Sequence, residues 1–328
     1  MKTNLFLSLT VGPEDDGLRL DKYLTKLEEI TSRNYAQHLI EKKLVTVSGK
    51  FPKPSLQLAV GQLVEISFPE LTPSELVPYD LKLDIEFEDE HLLVVNKPSG
   101  LVVHPAAGHQ QDTLVNALLF HTKDLSMKNE QRPGIVHRLD KETSGLIVVA
   151  KKDFIHEKLA EQFKNKSTHR IYYALLDGQL PRSSGVCSSY LARHPVDRKR
   201  YASLRENHKI ITVFNPEITE GKWAVTHFSK LAQHSHMSYV KLKLETGRTH
   251  QIRVHMSELG HPLVGDTLYG YSIKKMRDLD VHRFFLHAAE LGFVHPMTGE
   301  NLLFKRLWPP SEVEKLNSLG FDNVALSK

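Results

Sequence analysis

Leu18, Leu20, Tyr23, Leu24 and Leu27 recur at helical spacing, with Asp21 and Lys22 on the polar side, which predicts a helix over 18–27. A second helix is expected from a cap at Thr31 or Ser32 to about Lys43, with Tyr35, Ala36, Leu39 and Ile40 facing inward. Met1 to Val11 reads as a strand and not as a signal peptide, because Gly12-Pro13-Glu14-Asp15-Asp16 follows in place of a small-residue cleavage site. Leu44 to Lys50 alternates as a strand ending in a turn, and Leu63 to Ile66 supplies another strand after Gly61. So short a unit buries only a small core, which suits a recognition module better than an enzyme.

Pro69, Pro73 and Pro78 then mark an extended spacer, so two domains are expected, 1–80 and 81–328. Beyond the spacer the texture changes. Leu92 to Val95 and Leu146 to Ala150 have the continuous apolar character of buried strands, with a turn at Lys97-Pro98-Ser99-Gly100. Helices are predicted over 113–121, with Leu114, Ala117 and Leu118 on one face, and over 153–164, through Ile155, Leu159 and Phe163. Ile171 to Leu176 and Val240 to Leu244 are further strands. Strands and helices do not alternate as βαβ units, so the fold class is α+β and not doubly wound.

Composition adds exclusions. With 40% hydrophobic and 25% charged residues the chain is an ordinary globular one. Its single cysteine, Cys187, makes neither an internal disulfide nor a thiolate-rich metal site. No apolar run approaches the roughly 20 residues of a membrane span, so a soluble cytoplasmic protein, expected as a monomer, is the reading. The net charge of +4 is unevenly placed: residues 131–210 carry 16 basic against 8 acidic groups. That excess is an electrostatic footprint for a polyanion. Its densest part is Arg198-Lys199-Arg200, and a smaller basic cluster includes Arg33, Lys42 and Lys43. Two basic surfaces favour nucleic acid over a small acidic metabolite.

The most informative stretch runs from Gly134 to Leu146, where two apolar runs bracket a polar, glycine-ended turn holding Arg138, Asp140 and Lys141. On the local sequence alone, an aspartate closing an Asx turn is the plainer reading of Asp140. The motifs around it change that. His137-Arg138-Leu139-Asp140-x-x-Thr143-Ser144-Gly145-Leu146 resembles the signature of RluA-type pseudouridine synthases, whose aspartate is catalytic. Val94 to Leu101 with His104-Pro105, Tyr172-Tyr173-Ala174-Leu175, Gly247 to His255, and Leu286-His287-Ala288 with Phe293 and His295-Pro296 resemble further motifs of that family, in the same order. Residues 17–67 resemble the small RNA-binding domain named after ribosomal protein S-four, through Arg19-Leu20-Asp21-Lys22 and Ser32-Arg33. They depart from it at Glu41-Lys42-Lys43, where a glycine is expected near the end of the second helix.

The resemblance implies an isomerase with a mixed, largely antiparallel central sheet, needing no cofactor and no metal, because turning uridine into pseudouridine conserves atoms and oxidation state. It implies Asp140 as the ionised carboxylate, Arg253 as the arginine beside it that favours its charge, and Tyr172 as the ring packed on uracil, its hydroxyl in reach of the proton lost from C5. Arg253 falls near the start of a helix read from a Thr249 cap through Gln251 to Leu259, with Ile252, Met256 and Leu259 inward. Leu286 would wall the base, Arg138 would fill the space a flipped uridine vacates, and His137 stands beside them in the motif. Arg198, Lys199 and Arg200, with Arg33, Lys42 and Lys43 of the small domain, would grip RNA backbone. His104 to Gly108 and Gly260 to Asp266 point to members acting on large-subunit ribosomal RNA, a tRNA synthase being the nearby alternative. Two other classes compete: a catalytically silent RNA-binding assembly factor, and a glycosidase using Asp140 with Glu142, whose i, i+2 spacing in an extended segment points them apart.

Overall fold

The computed structural model describes residues 6–27, 30, 33–68, 76–106 and 108–322, and the chain divides into two compact units at Glu75/Leu76. Among the described residues no helix is long and apolar enough to cross a membrane.

In the first unit, strands β1 (Phe6–Thr10), β2 (Val45–Val47) and β3 (Leu63–Ser67) form an antiparallel sheet in the order β1-β3-β2. Two helices, α1 (Leu20–Tyr23) and α2 (Arg33–Glu41), cover it. The predicted helix over 18–27 is shorter than its apolar spacing suggests. Leu18 and Leu20 exchange backbone hydrogen bonds with Leu58 and Leu56, which holds the chain extended until residue 20, and a 3-10 turn over Leu24–Lys26 follows. The proposed caps, Thr31 and Ser32, and the spacer prolines Pro69 and Pro73 lie outside the described residues. The expected glycine after α2 is replaced by Lys43 at φ 58°, with Lys43 N–H donating to Ile40 O and Leu44 N–H to Leu39 O. That is a Schellman ending, built on a lysine held in the left-handed region.

The second unit begins five residues before the expected boundary, because the Asn116 side chain donates to Val77 O and Tyr79 N–H donates to Asn116 O. Its sheet is built from β4 (Ile85–Glu88), β5 (Leu92–Lys97), β6 (Ser144–Ala150), β7 (His169–Asp177), β8 (Ser184–Arg193) and β9 (Tyr201–Ser203). A small hairpin of β10 (Arg205–Glu206) and β11 (Lys209–Ile210) precedes β12 (Lys222–His234), β13 (Met237–Leu244), β14 (Leu286–Val294) and β15 (Asn301–Lys305). The ten-stranded order is β4-β5-β6-β14-β7-β13-β12-β8-β9, with β15 on β14, and only the β6–β14 pair is parallel. This is the mixed, largely antiparallel α+β sheet expected.

Alternation explains the layers. Leu93, Val95, Ile147, Val149, Tyr172, Ala174, Leu286 and Ala288 point into one core, shared with α3 (Leu114–His121) and α5 (Gln251–Glu258). Leu92, Val94, Leu146, Val148, Leu291 and Phe293 point into another, closed by α4 (Asp153–Lys164). Thr113 caps α3 in a capping box with Asn116, both fully buried. Gly145, at φ 112°, lets β6 lie against β14: a Cβ there would stand 2.3 Å from Ala288 O. The parallel pairing of His287 with Ser144 thus fixes the end of the segment that carries Asp140.

Candidate active site

The turn after Leu139 is clamped from below. Leu139 is buried in the core, Thr143 N–H donates to Asp140 O, and the fully buried Lys97 ammonium donates to Lys141 O at 3.1 Å and to Pro98 O and Leu101 O. Ser99 Oγ donates to Glu142 O at 2.7 Å. Lys97 has no carboxylate in contact, and burial pushes its ammonium down to about 7. The Lys97–Gly100 segment, expected as a plain turn, therefore braces the Asp140 turn.

Asp140 stands at the wall of a cavity of about 380 Å³, together with Arg138, Tyr172, Arg253 and Leu286. Arg253 Nη1 donates to Asp140 Oδ2 at 3.3 Å. Its other donors are committed: Nε and Nη2 hold the two oxygens of Asp266 at 2.7 and 3.0 Å. The guanidinium also lies over Phe284 and Tyr269, at 4.5 and 4.8 Å. Burial alone would push Arg253 down, yet the Asp266 hydrogen bonds and the Asp140 charge raise it above its ordinary value. A permanently charged fork, locked in orientation, thus presents one N–H to Asp140.

Tyr172 lies on the β7 face expected, opposite Ile171 and Tyr173, between Leu242 of β13 and Ala288 of β14. Burial raises its phenol to about 12, so it is a proton donor at neutral pH and a poor base until it has passed its own proton on. Leu286 is buried and contributes to the same wall. Arg138 is exposed at the rim. His137 lines the cavity, but its ring stacks on Phe163 at 4.4 Å and its Nε2 accepts from Val148 N–H at 3.1 Å. Burial takes it down to about 3, so it is a neutral brace between the turn and β6.

Two sequence readings of α5 need correction, and the structure adds a partner to a third residue. Thr249 does not cap α5; His250 does, at φ 56° and without a side-chain hydrogen bond, and the Gln251 side chain instead ties the helix start to the preceding loop and to β12. Gln251 Oε1 accepts from Thr246 Oγ1 and Arg248 N–H, while its Nε2 donates to Val225 O and Thr226 Oγ1. Leu259 is exposed, because α5 ends at Glu258 and the chain turns at Gly260. Arg33 is partly spent within its own unit, donating to the buried Asp21 carboxylate from Nε and Nη2. That carboxylate, also held by Arg19 and Gln37, is drawn far below its usual range.

The remaining basic residues divide. Lys42, Lys43, Arg198 and Lys199 are exposed, whereas Arg200 is half-buried over the Tyr269 ring at 5.4 Å. Glu142 turns toward Ser99 and does not line the cavity, so no second carboxylate faces Asp140 across it. Two buried charged residues, one behind Arg253 and one in the cavity wall, were not picked out by the sequence reading. Asp266 sits at 2% exposure just after Leu263 and Val264, and a charge closing a buried apolar run was the available signal. Arg170, at 6% exposure, donates to Glu245 O but leaves Nε unpartnered. Its disguise was the alternation of a strand.

Residues 91–258 match the family model described as RNA pseudouridylate synthase. The chain belongs to the RNA pseudouridylate synthase family. It is 40% identical to an uncharacterized RNA pseudouridine synthase of Aquifex aeolicus over 93% of this chain and 94% of that one. Identity is 42% to the ribosomal large subunit pseudouridine synthase D of Zymomonas mobilis, over 92% and 93% of the two chains. Human RNA pseudouridylate synthase domain containing 1 superposes with a TM-score of 0.56 at 27% identity, covering 71% of this chain and 87% of that structure. An RNA pseudouridine synthase is an isomerase, and its substrate class is RNA.

Proposed function

We propose that this synthase isomerises uridines of large-subunit ribosomal RNA at the Asp140 cavity. The observation that carries the catalytic part is the Asp266–Arg253–Asp140 array: a guanidinium fixed by one buried carboxylate and offered to a second that faces open space. The ribosomal part rests on the relatives of similar length that bear that name.

The reaction breaks N1–C1′, turns the base, forms C5–C1′, and moves the C5 proton to N1. As a nucleophile at the sugar or as a base that generates a glycal, Asp140 is needed ionised, and Arg253 holds that charge where the base departs. Leu286 and the Tyr172 ring confine the freed uracil so that it turns instead of escaping. With its phenol protonated, Tyr172 donates to uracil as the bond breaks, and then takes the C5 proton. Arg138, exposed at the rim, fills the gap left by the extruded nucleotide, since a guanidinium plane stacks on bases. The small N-terminal unit binds RNA through Lys42, Lys43 and the free edge of Arg33, and Arg198 and Lys199 grip the backbone by the cavity.

The test is a carbodiimide–primer-extension map of ribosomal RNA and tRNA from cells with and without the gene, complemented by wild type or Asp140→Asn. The expected result is loss of specific stops in large-subunit RNA, restored by wild type only, with RNA affinity of the variant within severalfold. Identical maps in all strains would overturn the reading, and stops lost from tRNA alone would move the substrate there.

A further inference from the structure

The wall Gly247-Arg248-Thr249 has two sides. One faces the Asp140 cavity, and the other faces a second hollow of about 460 Å³ lined also by Arg193, Tyr201 and Lys222. This size suits a nucleotide. No carboxylate lines the second hollow, whereas three cations do. The wall between the two is held in place: Arg248 N–H donates to the buried Gln251 Oε1, and Arg248 Nε donates to Trp223 O at 3.1 Å, leaving its two outer nitrogens without a protein partner among the described residues. Across the hollow, the Arg193 guanidinium lies over the Tyr201 ring at 5.3 Å and is tied to Arg198 O at 2.7 Å. Tyr201 is itself anchored, its N–H donating to the Tyr269 hydroxyl at 2.8 Å.

We propose that this second hollow is a subsite for the nucleotide next to the target uridine, its base stacked on the Arg193–Tyr201 platform and its phosphate held by Arg248 and Lys222. The inference rests on the synthase reading, since the extruded uridine must occupy the first cavity for its neighbour to cross the wall. Stacking on a fixed aromatic suits any base, and the cations suit the backbone, so the subsite grips the strand and does not read sequence. A protein segment would need carboxylates to meet the same three cations.

The experiment uses the RNA segment around a uridine that the wild type modifies in a large-subunit transcript, and versions abasic at either neighbouring position. Dissociation constants are measured by fluorescence anisotropy with the full-length Asp140→Asn chain. Removing one neighbouring base should weaken binding about tenfold, and should cost nothing further in Asp140→Asn/Tyr201→Ala. Lys222→Glu, at an exposed position that cannot upset the core, should weaken the intact RNA about tenfold and lower the salt slope by at least one charge. The subsite is refuted if neither abasic RNA binds more weakly, if the loss is the same with and without Tyr201, or if Lys222→Glu binds as the parent does. A wild type that modifies no uridine sinks the synthase reading, and this inference with it. An acidic peptide competing with the intact RNA but not with the RNA abasic at the neighbour would assign the hollow to a protein partner instead.

Discussion

Asp266 never faces substrate in this reading, yet its removal should be among the most damaging changes available. Asp266→Ala leaves the Arg253 guanidinium, itself 7% exposed, without the carboxylate that takes two of its donors. Breaking a buried ion pair by deleting one partner costs about 3–5 kcal/mol. The low end applies, because Asp140, Phe284 and Tyr269 still face the cation and the adjoining cavity admits water. A loss of about 3 kcal/mol in a unit of this size lowers Tm by about 6–12 °C. The released guanidinium then closes onto Asp140, and a misplacement of about 1 Å at a reacting group costs about a hundredfold in rate. Calorimetry and single-turnover tritium release from RNA labelled at uridine C5 read the two effects separately, with RNA affinity expected within threefold. The double change Asp266→Ala/Arg253→Met removes both buried charges, and it should melt no lower than Asp266→Ala alone. Additive losses in the double variant, or a wild-type rate for Asp266→Ala, would refute the argument that Asp266 works through Arg253.

Lys43→Gly relieves about 1–2 kcal/mol of left-handed strain and gives up about 0.5 kcal/mol from the ammonium over Phe51, so slower amide exchange at Leu39–Leu44 is expected in the full chain. Gly145→Ala drives a Cβ into Ala288 O and should cost at least about 3 kcal/mol in urea unfolding, separating β6 from β14. Burial takes His255 and His287 down to about 4 from the ordinary 6.5. Between those values the unfolded chain binds protons that the folded chain refuses, so stability falls as pH drops from 6.5 to 4 and is independent of these groups above that window. Unfolding free energies at pH 7, 6 and 5 measure it, and a His255→Asn variant should show a shallower slope.

How much of this was legible depended on whether function sat on consecutive residues. The Asp140 turn did: apolar runs before and after it, with Gly145 at its end, mark a turn raised on a rigid sheet. The strands over 92–95 and 146–150 showed as continuous apolar runs, while alternation set Tyr172 opposite Ile171 and Tyr173 and the motif turned it to the site. Arg253 was singled out by the Gly247–His255 motif, since the spacing alone placed it only near the start of a helix. Asp266 was illegible as a partner, because the bidentate bond spans the end of α5 and a following loop, a closure that no periodicity encodes. Lys97 was read only as the start of a turn, since three carbonyls and no carboxylate hold it and carbonyl partners leave no mark in the sequence. The long β8 and β12 were missed because their outer halves, exposed or half-buried, mix polar and apolar residues without a clean alternation. Thr249 was read as the cap because a threonine before an apolar-spaced run is the usual signal, whereas the chain enters α5 through His250 in the left-handed region, which that signal does not mark.

Tyr269 joins two parts of the molecule that otherwise have different obligations. Its ring carries Arg200 and Arg253, and its hydroxyl meets Tyr201 N–H and His250. The basic loop between β8 and β9 is thus moored at its Arg200–Tyr201 end, while the side chains of Arg198 and Lys199 stay exposed. Under the proposed backbone contacts, side-chain exchanges at Arg198 and Lys199 retune RNA affinity and leave the chemistry alone. A change of length at 200–201 has no such liberty, because it would pull on the ring against which the inner guanidinium rests.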